Sequence, residues 1–223
     1  MKPSILTILT ILLSTNFVFG QSLKDSLFVF VGEKIEVNLI PREDDKPLVD
    51  TIIEGKDTIY DIHISMSMDS RYKAKYKVLQ LLHGTYNADT IEFIAYDHYG
   101  KPGFSNKDTV LLFVSTSEGT LYHEKYQYFN LYLTKNGKWA GTYSTSDYNH
   151  SYKNEITVRP EKIEFANEVS FPLDKLTQEQ IEIWYPTPYF ELKNGKAIAI
   201  YGNYIDDLFK LKQQTILKAR GIY

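Results

Sequence analysis

Two histidines of this chain stand beside a carboxylate. In AYDHYGKPGF, Asp97 precedes His98, and in TLYHEK, His123 precedes Glu124. A carboxylate can hold an imidazole in the tautomer a general base needs. Two histidines and a carboxylate can also ligate zinc. A hydrolase would therefore be built on Asp97, His98 and His123, and a zinc centre on His98, His123 and Glu124. Neither pattern has the local spacing that gives such motifs their force. There is no His-Glu-x-x-His, no Gly-x-Ser-x-Gly elbow and no glycine-rich phosphate loop, since GEK at Gly32 lacks the further glycines. His63, His83 and His150 are scattered singly. Asp44-Asp45 and Asp206-Asp207 are the only paired aspartates. The first pair suits a loop and the second a helix start.

Strand geometry argues further against the dyad. Neighbours in an extended strand point to opposite faces. Asp97 then lies with Ile91, Phe93 and Ala95, while His98 lies with Glu92. The expectation is that Asp97 ends a strand and accepts backbone N–H groups from the turn at Gly100, Pro102 and Gly103. His123 is expected on a solvated strand face, with Glu124 facing the other way. No cofactor or metal is expected.

Recognition is the other chemistry on offer. Eighteen tyrosines are present, and tyrosine gives rigid, amphipathic contact area. Tyr122, Tyr126, Tyr128 and Tyr132 share parity, which would set them along one side of one strand, with Trp139 just beyond. These five are the candidate binding residues, for a protein or a glycan. Lys73, Lys75 and Lys77 form a basic stripe opposite Tyr72, Ala74, Tyr76 and Val78. A nucleic-acid surface would interleave such a stripe with stacking aromatics. Here the tyrosines occupy the other face, so the lysines read as a solvent face paired with Glu92 across strands.

The elements that would carry these residues are mostly strands. LFVFVGEKIEVNL is apolar on both faces, then alternates after Gly32, with Ile35, Val37 and Leu39 on one side; the glycine suggests a bulge or coil. Asp-Thr before a β-branched residue, at Asp50, Asp57, Asp89 and Asp108, marks strand openings. Thr51–Ile53 and Thr58–Ile64 then form a small hairpin. VLLFVS, from Val110, is a continuous apolar run and reads as a central strand. Asn136-Gly137 and Asn194-Gly195 are hairpin turns. Short strands are expected at 156–158, 163–165 and 169–171. Thr177 and Gln180 form a capping box that opens a short helix through Trp184. Ile205–Ala219 reads as the best helix, with Leu208, Leu211 and Thr215 facing the core.

Several of these stretches together resemble a known family. LFVFVGEKI, YKAKYKVLQLLHG, DTIEF and VLLFV are similar in order and type to the netrin-like domains, an OB-fold group that includes the tissue inhibitors of metalloproteinases. The resemblance spans about residues 27–133 and implies a small closed barrel. The inhibitors' mechanism rests on an N-terminal cysteine and disulfides, and this chain has no cysteine, so only the fold carries over. YDHYG and LLFVS also resemble stretches of secreted proteins from Bacteroidetes.

Composition bounds the rest. Lys2, the apolar run Ile5–Leu13 and the small residues to Gly20 have the layout of a cleaved signal peptide, cut after Gly20. Without cysteine there is no lipid attachment, so a lipoprotein is excluded, and the protein is expected to be secreted or periplasmic. No later run is long enough to span a membrane. The formal net charge of −3 falls by one on losing Lys2, which argues against a nucleic-acid partner. The expected organisation is a signal peptide at 1–20, a barrel-like domain at 21–141 and an α+β extension at 142–223. The fold class is mainly β (α+β): a small OB-like β-barrel or curled antiparallel sheet with a C-terminal helix. The expected function is a non-enzymatic binding module, with the Asp97, His98 and His123 hydrolase as the alternative.

Overall fold

A computed structural model describes residues 27–41, 48–54, 57–63 and 68–223. The expected signal peptide and most of the 41–47 loop lie outside the described residues. The first part of the chain forms β1 (Leu27–Leu39), β2 (Leu48–Glu54), β3 (Asp57–His63), β4 (Ser70–His83), β5 (Thr90–Asp97), β6 (Thr109–Ser117) and β7 (Thr120–Asn130). Five of these close into a barrel in the order β1-β4-β5-β7-β6, while β2 and β3 pair as a separate hairpin. Neighbouring barrel strands are antiparallel except β5 and β7, which meet in parallel at Ile94 and Tyr122. A closed five-strand barrel of this order is the OB-like architecture.

The alternating strands are built as their sequences require. In β4, Tyr72, Ala74 and Tyr76 point into the barrel and the lysines point out. In β5, Ile91, Phe93, Ala95 and Asp97 are the buried set. The barrel interior is closed by Phe104, carried on a 3-10 turn at Gly103–Asn106. Its ring lies 5.9 Å from both Tyr76 and Phe93, centroid to centroid, and 4.5 Å from His123. Gly103 is required beneath it, because a Cβ there would sit 2.4 Å from the Tyr128 hydroxyl.

The continuous apolar runs have a different cause. Val110, Leu112 and Val114 of β6 face the barrel interior, whereas Leu111 and Phe113 face outward beneath the C-terminal helix. Val29 and Val31 of β1 do the same. The covering helix is α3 (Ile205–Gln214), followed by α4 (Ile216–Ala219). Leu208, Leu211 and Thr215 are fully buried, as the spacing predicts. The single helix expected over 205–219 is broken at Thr215, whose ψ of −104° leaves the helical region. The Thr215 hydroxyl instead donates to the Leu211 carbonyl at 2.7 Å.

Two further sheets complete the chain. One joins β8 (Tyr132–Leu133), β9 (Trp139–Thr142), β10 (Glu161–Lys162) and β14 (Tyr201–Tyr204), in the order β10-β14-β9-β8. The other joins β11 (Ser170–Pro172), β12 (Phe190–Lys193) and β13 (Lys196–Ala199), with β13 central. The β8–β9 hairpin turns at Asn136-Gly137 and β12–β13 at Asn194-Gly195, with both residues of the second turn at positive φ. Because β9 pairs with β14, the sheet runs across the expected division at 141/142. A short helix α1 (Thr145–Tyr148) follows β9, and α2 (Gln178–Trp184) has both bonds of the Thr177–Gln180 capping box.

The smaller departures each have a local reason. Ile35 stands between Lys34 and Glu36, which pair with Tyr76 and Lys75. It is therefore the extra residue of a bulge and is exposed, breaking the alternation with Val37. Gly32 sits at another register shift, where a Cβ would meet the Phe30 and Tyr76 rings at 3.0 Å. Asp50 lies inside β2, while Asp57, Asp89 and Asp108 do stand at strand openings. Residues 156–158 form no strand, and only Phe165 bridges, to Thr134, in the stretch expected at 163–165. Among the described residues no helix is long and apolar enough to cross a membrane.

The plug makes a clear energetic claim. Phe104→Ala empties the centre of the barrel and is expected to lower stability by about 3–5 kcal/mol, as for other buried aromatics. Urea unfolding of the two proteins measures it; a loss below about 1 kcal/mol would mean the barrel does not depend on this ring.

Candidate binding surface

β7 is the strand on which the site turns. Val114 pairs with His123 and Leu112 pairs with Tyr128, so the stretch Glu124 to Gln127 stands opposite Phe113 alone. This is a wide excursion from the ladder, and Tyr126 at its crest has φ +66°. A bulky side chain in the left-handed region is an outlier that surrounding contacts must hold. His123 supplies one such contact across the base of the excursion. Its Nε2 donates to the Gln127 carbonyl at 2.9 Å. Gln127 Nε2 donates to the Lys125 carbonyl at 3.2 Å, and Arg220 donates to the same carbonyl at 2.8 Å.

The excursion overturns the shared parity of the tyrosines. Before it, Tyr122 points outward, where its ring stacks on Tyr96 at 6.3 Å. After it, Tyr128 packs against the barrel interior and the Phe104 ring. Tyr132 packs with Phe165 in the smaller core of the later sheets. Trp139 packs beneath the C-terminal helix. The expected stripe is thus divided among separate environments, and of its members Tyr122 and Tyr126 face outward as ligand-contacting rings would.

The Asp97-His98 stretch has the expected structural role, with one addition. Asp97 is buried, and its Oδ1 accepts the Tyr99 N–H at 2.8 Å. His98 turns outward toward Asp69 at 3.7 Å, so the two side chains form no dyad. The addition is Tyr99, 87% exposed, whose ring lies 6.4 Å from Tyr126. The end of β5 and the crest of β7 therefore place Tyr96, Tyr99, Tyr122 and Tyr126 on one outer surface. Lys125, above the Tyr126 ring, is held at 2.5 Å by Asp69.

The hydrolase and zinc residues do not share one face: His98 turns outward, while Asp97 and His123 face the barrel interior. His123 is on the inner face of the barrel, between Phe93 and Phe104, rather than on a solvated face. Glu124 is committed to the Ser115 hydroxyl at 2.6 Å and to Arg220 at 2.8 Å. Among the described residues no three His, Asp or Glu side chains are grouped as a metal would require. The Lys73 and Lys75 ammonium groups reach Glu92 at 2.7 and 3.1 Å, the cross-strand pairing the sequence suggests.

Beside Tyr126 opens a cleft of about 300 Å³ that also reaches Tyr143, Ser144, Asp147 and Lys212. Its floor is a buried ion pair. Lys212 Nζ contacts Asp147 Oδ1 at 2.6 Å and lies 4.6 Å above the Phe129 ring. Asp147 Oδ2 accepts the Ser144 hydroxyl at 2.6 Å. Burial lowers the Lys212 ammonium from its usual range, against the pull of Asp147. One wall is braced by three parallel tyrosines, with Tyr143 stacked 5.0 Å from Tyr148 and 3.7 Å from Tyr189. Asn130, also on the wall, has a buried Oδ1 with no hydrogen-bond partner. The sequence contains one sign of this cleft. Lys212 falls at i+4 from Leu208, within the apolar stripe of α3, where a solvated lysine would not stand.

The chain matches no family model, no curated protein and no solved structure.

His123 gives the surface a pH signature. Burial holds its imidazole down to about 3 from 6.5, with the Gln127 carbonyl opposing and Arg220 assisting. The unfolded chain takes up this proton near 6.5 and the folded chain does not. The stability this residue protects is therefore complete above pH 6.5 and declines as pH falls toward 3, with the slope that uptake of one proton on unfolding gives. Stability measured against pH is expected to show that slope, and His123→Phe is expected to remove it. An identical slope in the variant would place the protonation elsewhere.

Proposed function

We propose that this protein is a secreted or periplasmic, non-enzymatic binding module whose ligand sits on the tyrosine surface around Tyr126 and in the cleft beside it. The observation that carries this reading is Tyr126 itself. An exposed, bulky residue is held at φ +66° on a braced excursion of β7, at the mouth of the cleft. Strain of this kind, of order 1–3 kcal/mol, persists only where surrounding contacts over-determine it, and such positions cluster at binding and active sites. Rigid tyrosines around a cleft with a few fixed polar groups are what recognition requires.

The remaining features support the same reading. The outward turn of His98, away from the inward-facing Asp97 and His123, disfavours the hydrolase. The lysine stripe is engaged with Glu92, which favours a solvent face over a phosphate-binding one. The export half of the proposal rests on Lys2, the apolar run and Gly20 in the leader. The closed strand order supports grouping the barrel with OB-like domains, netrin-like ones included.

Tyr126→Gly separates function from folding. Glycine adopts positive φ freely, so the variant is expected to be as stable as the parent, or more stable by up to about 1 kcal/mol. In pull-downs from the source's envelope and medium, it is expected to lose the saturable component that the parent retains. A variant that unfolds more easily, yet retains the same component, would make Tyr126 a structural residue and end this reading.

A further inference from the structure

The charges around Tyr126 are compensated within the chain. Lys125 is paired with Asp69, Lys212 with Asp147, and Arg220 with Glu124. A ligand bringing net charge would have to compete with one of these pairs, and the buried Lys212–Asp147 pair is costly to break. The surface therefore suits a neutral ligand.

The walls choose among neutral ligands. Beside the rings of Tyr126 and Phe171, the cleft presents Asn130, Thr142, Ser144 and Ser146. Ser144 already donates to Asp147 and lies 3.3 Å from the Ser146 hydroxyl, but an apolar peptide or lipid chain would still bury the remaining hydrogen-bonding capacity of these groups unmet, which is unfavourable. The Asn130 Oδ1 is shielded and without a partner, so a ligand reaches this oxygen only if the amide turns over. A hydroxyl both donates and accepts, so it can satisfy a carboxamide in either orientation. A pyranose has the matching chemistry, with C–H groups on its flat faces and hydroxyls around its rim. The cleft is open, and its aromatic surface continues from Tyr126 to Tyr99, which gives room for more than one ring.

We propose that the cleft binds a neutral oligosaccharide, one sugar ring lying on Tyr126 with its hydroxyls directed to Asn130, Ser144 and Ser146. This rests on the reading of the cleft as the binding site and adds the ligand class. Electrophoresis of the purified protein through native gels cast with soluble polysaccharides tests it. The neutral gels hold a glucan, a mannan, a xylan or a galactan; the anionic ones hold polygalacturonate or heparin.

Retardation is expected in at least one neutral gel and in neither anionic gel. It is expected to weaken about tenfold or more in Tyr126→Gly and in Asn130→Leu, a loss of one good contact. Asn130→Leu removes no hydrogen bond described for that side chain, so both variants should melt no lower than the parent. Retardation only in the anionic gels, or in none, overturns the proposal. Retardation undiminished in both variants overturns the placement. The pull-down with Tyr126→Gly is independent of sugars: a Tyr126-dependent protein partner, with no retardation in any gel, would keep the binding module and discard the carbohydrate.

Discussion

The excursion of β7 between His123 and Tyr128 is the constraint on which the rest of this structure depends. It inverts the strand's sidedness halfway along its length. The first part of β7 sends His123 into the barrel and Tyr122 out. The second part sends Tyr128 in, leaving Phe129 to pack under the C-terminal helix. The inversion decides which residues do each job, turning Tyr128 rather than Phe129 into the barrel and leaving Phe129 for the helix side. The excursion is fastened from both sides. His123 holds it from within the barrel through the Gln127 carbonyl, and Arg220 holds it from the chain's end through the Lys125 carbonyl and Glu124. The bond from His123 requires the proton on Nε2, and the apolar setting between Phe93 and Phe104 keeps the imidazole neutral, so that this proton is the one it carries.

On the proposed reading, this arrangement joins the barrel to recognition in a physical sense. A recognition residue is most useful when its rotamer and backbone are fixed before the ligand arrives, because less freedom is lost on binding. Tyr126 is fixed by a strained backbone whose supports are the buried His123 and Gln127 and the Arg220 side chain. The stacked Tyr143, Tyr148 and Tyr189 rings brace the opposite wall, and Tyr148 is tied to the buried Asn203 at 2.9 Å. The Lys212–Asp147 pair adds little net stability by the usual balance of desolvation against attraction. What it supplies is a fixed, charge-balanced floor.

How much of this was legible in the sequence depended on whether local pattern and tertiary demand agreed. They agreed for β4, where Tyr72, Ala74 and Tyr76 alternate with lysines, and for the Asn-Gly turns and the Thr177 capping box. They agreed for β6 as well, since a strand between a barrel interior and a covering helix must be apolar on both faces. They disagreed at Glu124–Gln127. That stretch contains no glycine or proline, and EKYQ reads as uninterrupted strand, so parity counted from Tyr122 to Tyr132 goes wrong there. The bulge is imposed by contacts from Arg220 and Gln127, which no local pattern encodes. The break at Thr215 is similar, because its hydroxyl bond to Leu211 marks it only once the helix is in place. The candidate site was half legible. Tyr122 and Tyr126 stood out by type, while Tyr96, Tyr99 and Lys212 acquire meaning only when β5, β7 and α3 are brought together.

The most direct test of this account is photo-cross-linking from the crest of the excursion. A benzoyl-phenylalanine at position 126 would be compared with one at position 133, where Leu133 is about equally exposed on the β8–β9 hairpin. Illumination in the presence of envelope and medium fractions should give a discrete adduct at 126, diminished by excess unlabelled protein and absent at 133. The same diffuse background at both positions would contradict the claim that the β7 excursion exists to present Tyr126 to a ligand.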